Sequence, residues 1–214
     1  MADTGAPRRD DSGFSLIELL VGMAIFIVFL TIMVSALVGL SRTAVKVQLV
    51  AQSSTEVLNL FRQFDRQVPY ADAINYPGAG PSGARYVEYR TPGSSLASGV
   101  TTCTQWRYVA STGTIDVRTW PEGGTPSAWS TKLTRVIDDG GSAYPFAMTP
   151  AGSAASTQQQ LTLTVHTGTT VNDGTAISTS YVARNSSTQS PSNSSTQQAG
   201  VSDTPVCLPS GRRP

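Results

Sequence analysis

Residues 8–30 read RRDDSGFSLIELLVGMAIFIVFL, a short charged leader that turns abruptly apolar. A single acid, Glu18, sits inside the apolar run, and the next charged residue is Arg42. From Leu19 to Leu40 the chain offers 40 − 19 + 1 = 22 uncharged residues. As a helix that is roughly 33 Å, enough to cross a ~30 Å hydrocarbon core. A cleaved secretory signal is the rival reading, and Val34-Ser35-Ala36 offers a small-x-small step. Signal cores are shorter, however, and begin cationic; here Asp3, Asp10 and Asp11 offset Arg8 and Arg9. We therefore expect a transmembrane segment over 19–40. Arg8 and Arg9 on one flank face Arg42 and Lys46 on the other, so the positive-inside rule leaves orientation open.

Helical periodicity continues past the apolar run. Val57, Phe61, Phe64 and Val68 fall at i, i+4, i+7 and i+11, and Leu49, Val50 and Leu60 widen the same face. The pattern stops at Val68-Pro69, because a residue before proline is biased out of the helical region. One helix over 14–68 is about 80 Å long. Its first half is apolar all round, and its second half needs a domain to cover its stripe. The tetrad Ser15-Leu16-Ile17-Glu18 fits the capping box S-x-x-E, and the helix dipole favours an acid there. Capping does not account for the apolar surroundings, where an unpaired carboxylate costs about 2.5–3.5 kcal/mol.

The stretch Gly13-Phe14-Ser15-Leu16-Ile17-Glu18-Leu19-Leu20, after a short charged leader and before a long apolar helix, resembles the cleavage and methylation motif of type IV prepilins and pseudopilins. The resemblance implies a leader over 1–13, removed by a membrane-embedded prepilin peptidase between Gly13 and Phe14. It implies N-methylation of Phe14, and a role for Glu18 in docking into a growing filament. A freed amine at Phe14 and a neighbour's Glu18 are natural counter-charges in a low-dielectric filament core. The implied partners are other pilins or pseudopilins, the peptidase, an inner-membrane assembly platform and membrane lipid. The implied localisation is a single-pass cell-membrane protein that later joins a surface or periplasmic filament, with its globular domain outside the cytoplasm. Many major pilins have a proline in the membrane half; this chain has Gly22 and Gly39 instead.

After Pro69 the texture changes to short strands and turns. ARYVEYR, CTQWRYVA, TIDVRTW, TKLTRVI, QLTLTVHT and ISTSYVAR read as strands, with Ser111-Thr112-Gly113 as a hairpin connection. In QLTLTVHT, Leu161, Leu163 and Val165 alternate with Thr162, Thr164 and His166. The expected fold class is α+β: a long N-terminal helix packed on a mainly antiparallel β-sheet domain over 69–184. The end of the helix, YVEYR, the QWRYV…TIDVRTW hairpin and the late YVARNSS resemble J-type minor pseudopilins in outline. From Asn185 the chain is rich in Ser, Thr and Gln, and 185–214 is expected to be a flexible tail.

The composition is 39% hydrophobic and only 14% charged, with a net charge of +1. Nothing in that balance indicates a broad nucleic-acid footprint. One histidine and two cysteines leave little for a metal site, and no cofactor is expected. No G-x-S-x-G, P-loop, H-E-x-x-H or EF-hand pattern occurs, so catalysis is not expected. Trp106, Tyr108, Trp120 and Trp129 fill a sheet face or, with Arg107 and Arg118, form a ligand or nucleic-acid platform. The function classes are thus a minor pilin or pseudopilin of a type IV pilus-like or type II secretion-type filament, and a membrane-anchored adhesin or DNA-binding module. In an oxidising exterior, Cys103 and Cys207 are the one possible intramolecular disulfide; the alternative is two free thiols.

Overall fold

The computed structural model describes residues 15–141, 144–154, 156–168, 175–193, 206–207 and 213. The chain divides into two compact units, residues 1–49 and 50–214. Helix α1 spans Leu16–Gln67 and a 3-10 turn follows at Val68–Tyr70. Pro69 stands inside that turn, where its fixed φ suits the geometry and its missing N–H ends the α-helical ladder.

In the second unit the strands, among the described residues, are β1 Ala73–Ile74, β2 Gly78–Ala79, β3 Arg85–Thr91, β4 Thr102–Val109, β5 Thr114–Pro121, β6 Ser130–Leu133, β7 Phe146–Thr149, β8 Gln160–Thr167 and β9 Thr175–Val182. They form two antiparallel sheets. One runs β1-β3-β4-β5-β6, with β2 also paired to β3; the other runs β7-β8-β9. The sequence reading anticipated one sheet and missed β1, β2 and β7, which are only two to four residues long. Too few residues remain in such strands for alternation to register. At the β4–β5 hairpin Gly113 has φ 61°, and a Cβ there would lie 2.8 Å from the Val136 carbonyl oxygen. Both the turn and the close approach require glycine.

The helix lays Val57, Leu60, Phe64 and Val68 against the sheets, all at 3% exposure or less. Val87, Tyr89, Trp106, Tyr108, Ile115 and Val117 meet them from the larger sheet, and Phe146, Leu161, Leu163, Val165 and Tyr181 from the smaller. From Val57 to Val68 the stripe read from the sequence is the stripe that is buried, with Phe61 at its edge; the side chains of Leu49 and Val50 lie outside the described residues.

The tail expectation needs correction over 185–193. Ser190 Oγ donates to the Asp72 carbonyl (2.6 Å) and Ser192 Oγ to the Ile74 carbonyl (3.0 Å). Asn193 exchanges two hydrogen bonds with the Ala151 backbone, at 2.7 and 3.0 Å. Further on, Val206 and Cys207 are buried. The serine hydroxyls satisfy carbonyls on β1 and just before it, at a sheet edge whose acceptors would otherwise need water.

Burial raises the Tyr108 phenol pKa to about 12, with the Asp138 carboxylate adding to it. Burial likewise holds Tyr89, Tyr144 and Tyr181 above the ordinary phenol range. Unfolded phenols lose their protons near pH 10, so above that pH the folded chain binds more protons and stability falls. Two outcomes are expected for the full chain in detergent micelles. Unfolding free energy holds to roughly pH 9 and then declines steadily between about pH 10 and 12. Phe64→Ala costs about 3–5 kcal/mol by denaturant titration, whereas Leu58→Ala, at a residue 54% exposed, stays within about 0.5 kcal/mol.

Candidate functional site

The first turn of α1 is capped by Ser15. The Glu18 N–H points to Ser15 Oγ (3.3 Å) and to the Ser15 carbonyl (3.0 Å). The return half of the capping box is missing: the Glu18 carboxylate has no hydrogen bond or ion pair with any described residue. Gly13 and Phe14 lie outside the described residues. Every described side chain over Leu16–Val45 is exposed, and this span is long and apolar enough to cross a membrane. Its hydroxyls turn inward: Thr31 donates to the Val28 carbonyl (2.7 Å), Ser35 to Thr31 (2.7 Å) and Thr43 to Gly39 (3.0 Å). That self-satisfaction is what hydrocarbon demands of polar groups. A Cβ at Gly22 or Gly39 would meet nothing within 4 Å, so packing inside the chain requires neither glycine.

A second concentration of polar side chains lies on the face of the larger sheet opposite the helix. Register places three rows there: Arg90, Cys103 and Trp120; Glu88, Gln105 and Arg118; Tyr86, Arg107 and Asp116. In the middle row Glu88, 1% exposed, accepts from Asn75 Nδ2 (3.0 Å) and Gln105 Nε2 (2.7 Å), and Gln105 Oε1 accepts from Arg118 Nε (2.6 Å). Arg213 completes the Glu88 shell, its guanidinium donating at 3.0 and 2.8 Å. The Val206 N–H donates to Asn75 Oδ1 (2.8 Å). Cys207 is joined to Cys103 with Cα atoms 5.7 Å apart, within a small cluster of Ala73, Trp120 and Val206.

The aromatic residues divide between the faces. Trp106 and Tyr108 fill the helix-facing core and Trp120 backs the disulfide, all buried. Trp129 is half-buried, with Arg107 and Arg118 over its ring at 4.1 and 4.3 Å. Arg107 is paired with Asp116 at 2.8 Å and Arg118 with Gln105, so both arginines are engaged in the sheet's own polar network. His166 is half-buried with its ring 5.5 Å from Tyr144. Among the described residues no group of three His, Cys, Asp or Glu side chains is placed to hold a metal. Sequence reasoning missed Glu88 and Arg213. A lone acid inside an apolar strand is a visible signal; its partner 125 residues away is not.

Residues 8–34 match the family model described as the prokaryotic N-terminal methylation motif. No curated protein and no solved structure matches the chain. The chain thus carries a prepilin-type motif on a helix of membrane-spanning length, followed by a mainly antiparallel β domain.

Breaking a buried pair from one side strands the other charge. Arg213→Ala is expected to lower stability by about 3–5 kcal/mol, and adding Glu88→Gln recovers part of that loss in the same denaturation assay. Peptide mapping without reductant is expected to recover Cys103 and Cys207 in one linked fragment; separate alkylated peptides contradict the pairing.

Proposed function

We propose that the protein is a minor pilin or pseudopilin, a subunit that assembles into or primes a type IV pilus-like or type II secretion-type filament. The observation that carries this reading is the methylation motif over residues 8–34 at the head of a helix whose span Leu16–Val45 is apolar and unpartnered. A prepilin peptidase cuts between Gly13 and Phe14 and leaves a cationic amine on Phe14, which is then methylated. The subunit waits in the membrane with its β domain outside the cytoplasm, until an inner-membrane platform delivers it to other pilins or pseudopilins.

Within this reading Glu18 has a defined chemical task. Its backbone is committed to the Ser15 cap, while its carboxylate is unpaired within the described residues. The Phe14 amine of an adjacent subunit neutralises it, and low dielectric strengthens that attraction relative to water. The apolar surroundings make an unpaired Glu18 costly, so docking is favoured where a cation is presented.

Intact-mass and N-terminal analysis of protein recovered from the cell surface tests the reading. The expected mature chain begins at methylated Phe14 and has 214 − 13 = 201 residues. A mature start near Leu37, or an unprocessed chain, rejects it. Glu18→Val is expected to insert into the membrane normally and to fall at least about tenfold in sheared filaments, equivalent to about 1.4 kcal/mol. Wild-type incorporation of that variant removes the docking role.

A further inference from the structure

A cavity of about 230 Å³ opens where α1 ends, between the last helical turn and strands β3–β5. Its floor is the helix-facing side of the larger sheet beyond the reach of the apolar stripe. There Thr91, Thr102, Thr104 and Thr119 replace the aromatic residues found further along the same face. Thr91 and Thr104 are 6% and 4% exposed. The Thr91 and Thr119 hydroxyls have no hydrogen-bond partner among the described residues. Thr91 lies at the bottom of the concavity and Thr119, which is exposed, at its edge; each hydroxyl can both donate and accept.

The rim supplies the remaining chemistry. Arg66, in the last turn of α1, lines the cavity and forms no ion pair or hydrogen bond with a described residue. No Asp or Glu lines it. Tyr70, 53% exposed, and Leu96 also line the cavity.

A row of threonines alone would be a solvated face. Here the walls are fixed. Asn185 Nδ2 donates to the Tyr70 carbonyl (3.0 Å) and lies 3.1 Å from Ser95 Oγ, tying the helix side of the rim to the loop side. That loop is closed on itself. The Gly93 N–H donates to Thr101 Oγ1 (3.1 Å), and a Cβ at Gly93 would lie 2.2 Å from the Gly99 carbonyl oxygen. The site is preorganised, which reduces the ordering cost of binding.

We propose that this cavity binds a uronic-acid pyranose, a sugar ring carrying one carboxylate. Arg66 takes the carboxylate, Thr91 and Thr119 take ring hydroxyls, and Tyr70 with Leu96 packs on the apolar face of the ring. The volume is below that of drug-sized pockets and suits one sugar unit. The inference is independent of filament assembly.

The test uses the full chain, isotope-labelled, in lauryldimethylamine oxide micelles, a detergent without a sugar headgroup. Glucuronate, glucose and acetate are titrated while the backbone amide signals of Gln67, Thr91, Thr104 and Thr119 are followed. Glucuronate is expected to shift these signals in the millimolar range, with glucose and acetate each at least about tenfold weaker. Thr91→Val and Arg66→Gln each weaken glucuronate about tenfold while the remaining spectrum stays dispersed, which separates lost binding from lost folding. An oligouronate that binds more tightly than the monomer assigns a polysaccharide source, and equal binding assigns the free sugar. Acetate shifting the signals as strongly as glucuronate reduces the site to an anion contact and overturns the proposal. So do the absence of shifts at these residues and full binding by Thr91→Val.

Discussion

The Phe64 ring is fully buried, 4.5 Å from Trp106 on β4, 6.4 Å from Phe146 on β7 and 5.8 Å from Tyr181 on β9. One helical side chain therefore touches both sheets, and the two sheets share a core because the helix stripe lies between them. Each sheet on its own is an open antiparallel array with an apolar face, which is stable only when covered. The helix is the common cover. Where the stripe ends at Val68, the facing strands turn from Trp106 and Tyr108 to threonines, and a cavity replaces the packed core.

Most of this arrangement could be read from local pattern. The membrane-length run, the stripe from Val57 to Val68 and the alternation of Leu161, Leu163 and Val165 are all periodic over many residues, and periodicity is what burial imposes on a sequence. The division into two sheets was not legible, because pairing partners are chosen by tertiary contact and short strands such as β7 leave no signature. The polar row of Asn75, Glu88, Gln105 and Arg118 was illegible for a related reason. Each residue is unremarkable alone, and register alone brings them into one line. The serine hydroxyls at 190 and 192 count in the composition as solvating groups, whereas their two-residue spacing matches the two-residue spacing of Asp72, just before β1, and Ile74 on it.

The back of the larger sheet is closed by two different kinds of bond to late segments of the chain. The Cys103–Cys207 link acts mainly on the unfolded chain, by removing conformations from a loop with a sequence separation of 104. The Glu88–Arg213 pair acts on the folded state, where a carboxylate 1% exposed needs its charge balanced. Neither substitutes for the other. A disulfide without the guanidinium leaves Glu88 desolvated. The ion pair without the disulfide must hold its late segment against the full conformational entropy of the chain. Together they let a sheet face with four buried polar side chains in it (Asn75, Glu88, Gln105 and Asp116) remain inside the protein.

The first helical segment presents the opposite problem, since its polar groups must satisfy themselves without a sheet. Thr31, Ser35 and Thr43 do so through the helix backbone. Glu18 does not, because its carboxylate has no such internal acceptor or donor among the described residues. On the proposed reading this difference sets the direction of assembly. A lone acid at the edge of the apolar layer raises the free energy of the isolated subunit by at most about 2.5–3.5 kcal/mol, the cost at a helix centre, equivalent to a preference of up to roughly a hundredfold for any state that supplies a cation. The penalty belongs to the subunit alone and disappears in the assembly, so the same residue that makes membrane residence costly makes the filament the lower state. A hydroxyl or amide at position 18 lacks that leverage. Either would carry no charge for a neighbour's amine to neutralise, and the gain on assembly would shrink to a neutral hydrogen bond.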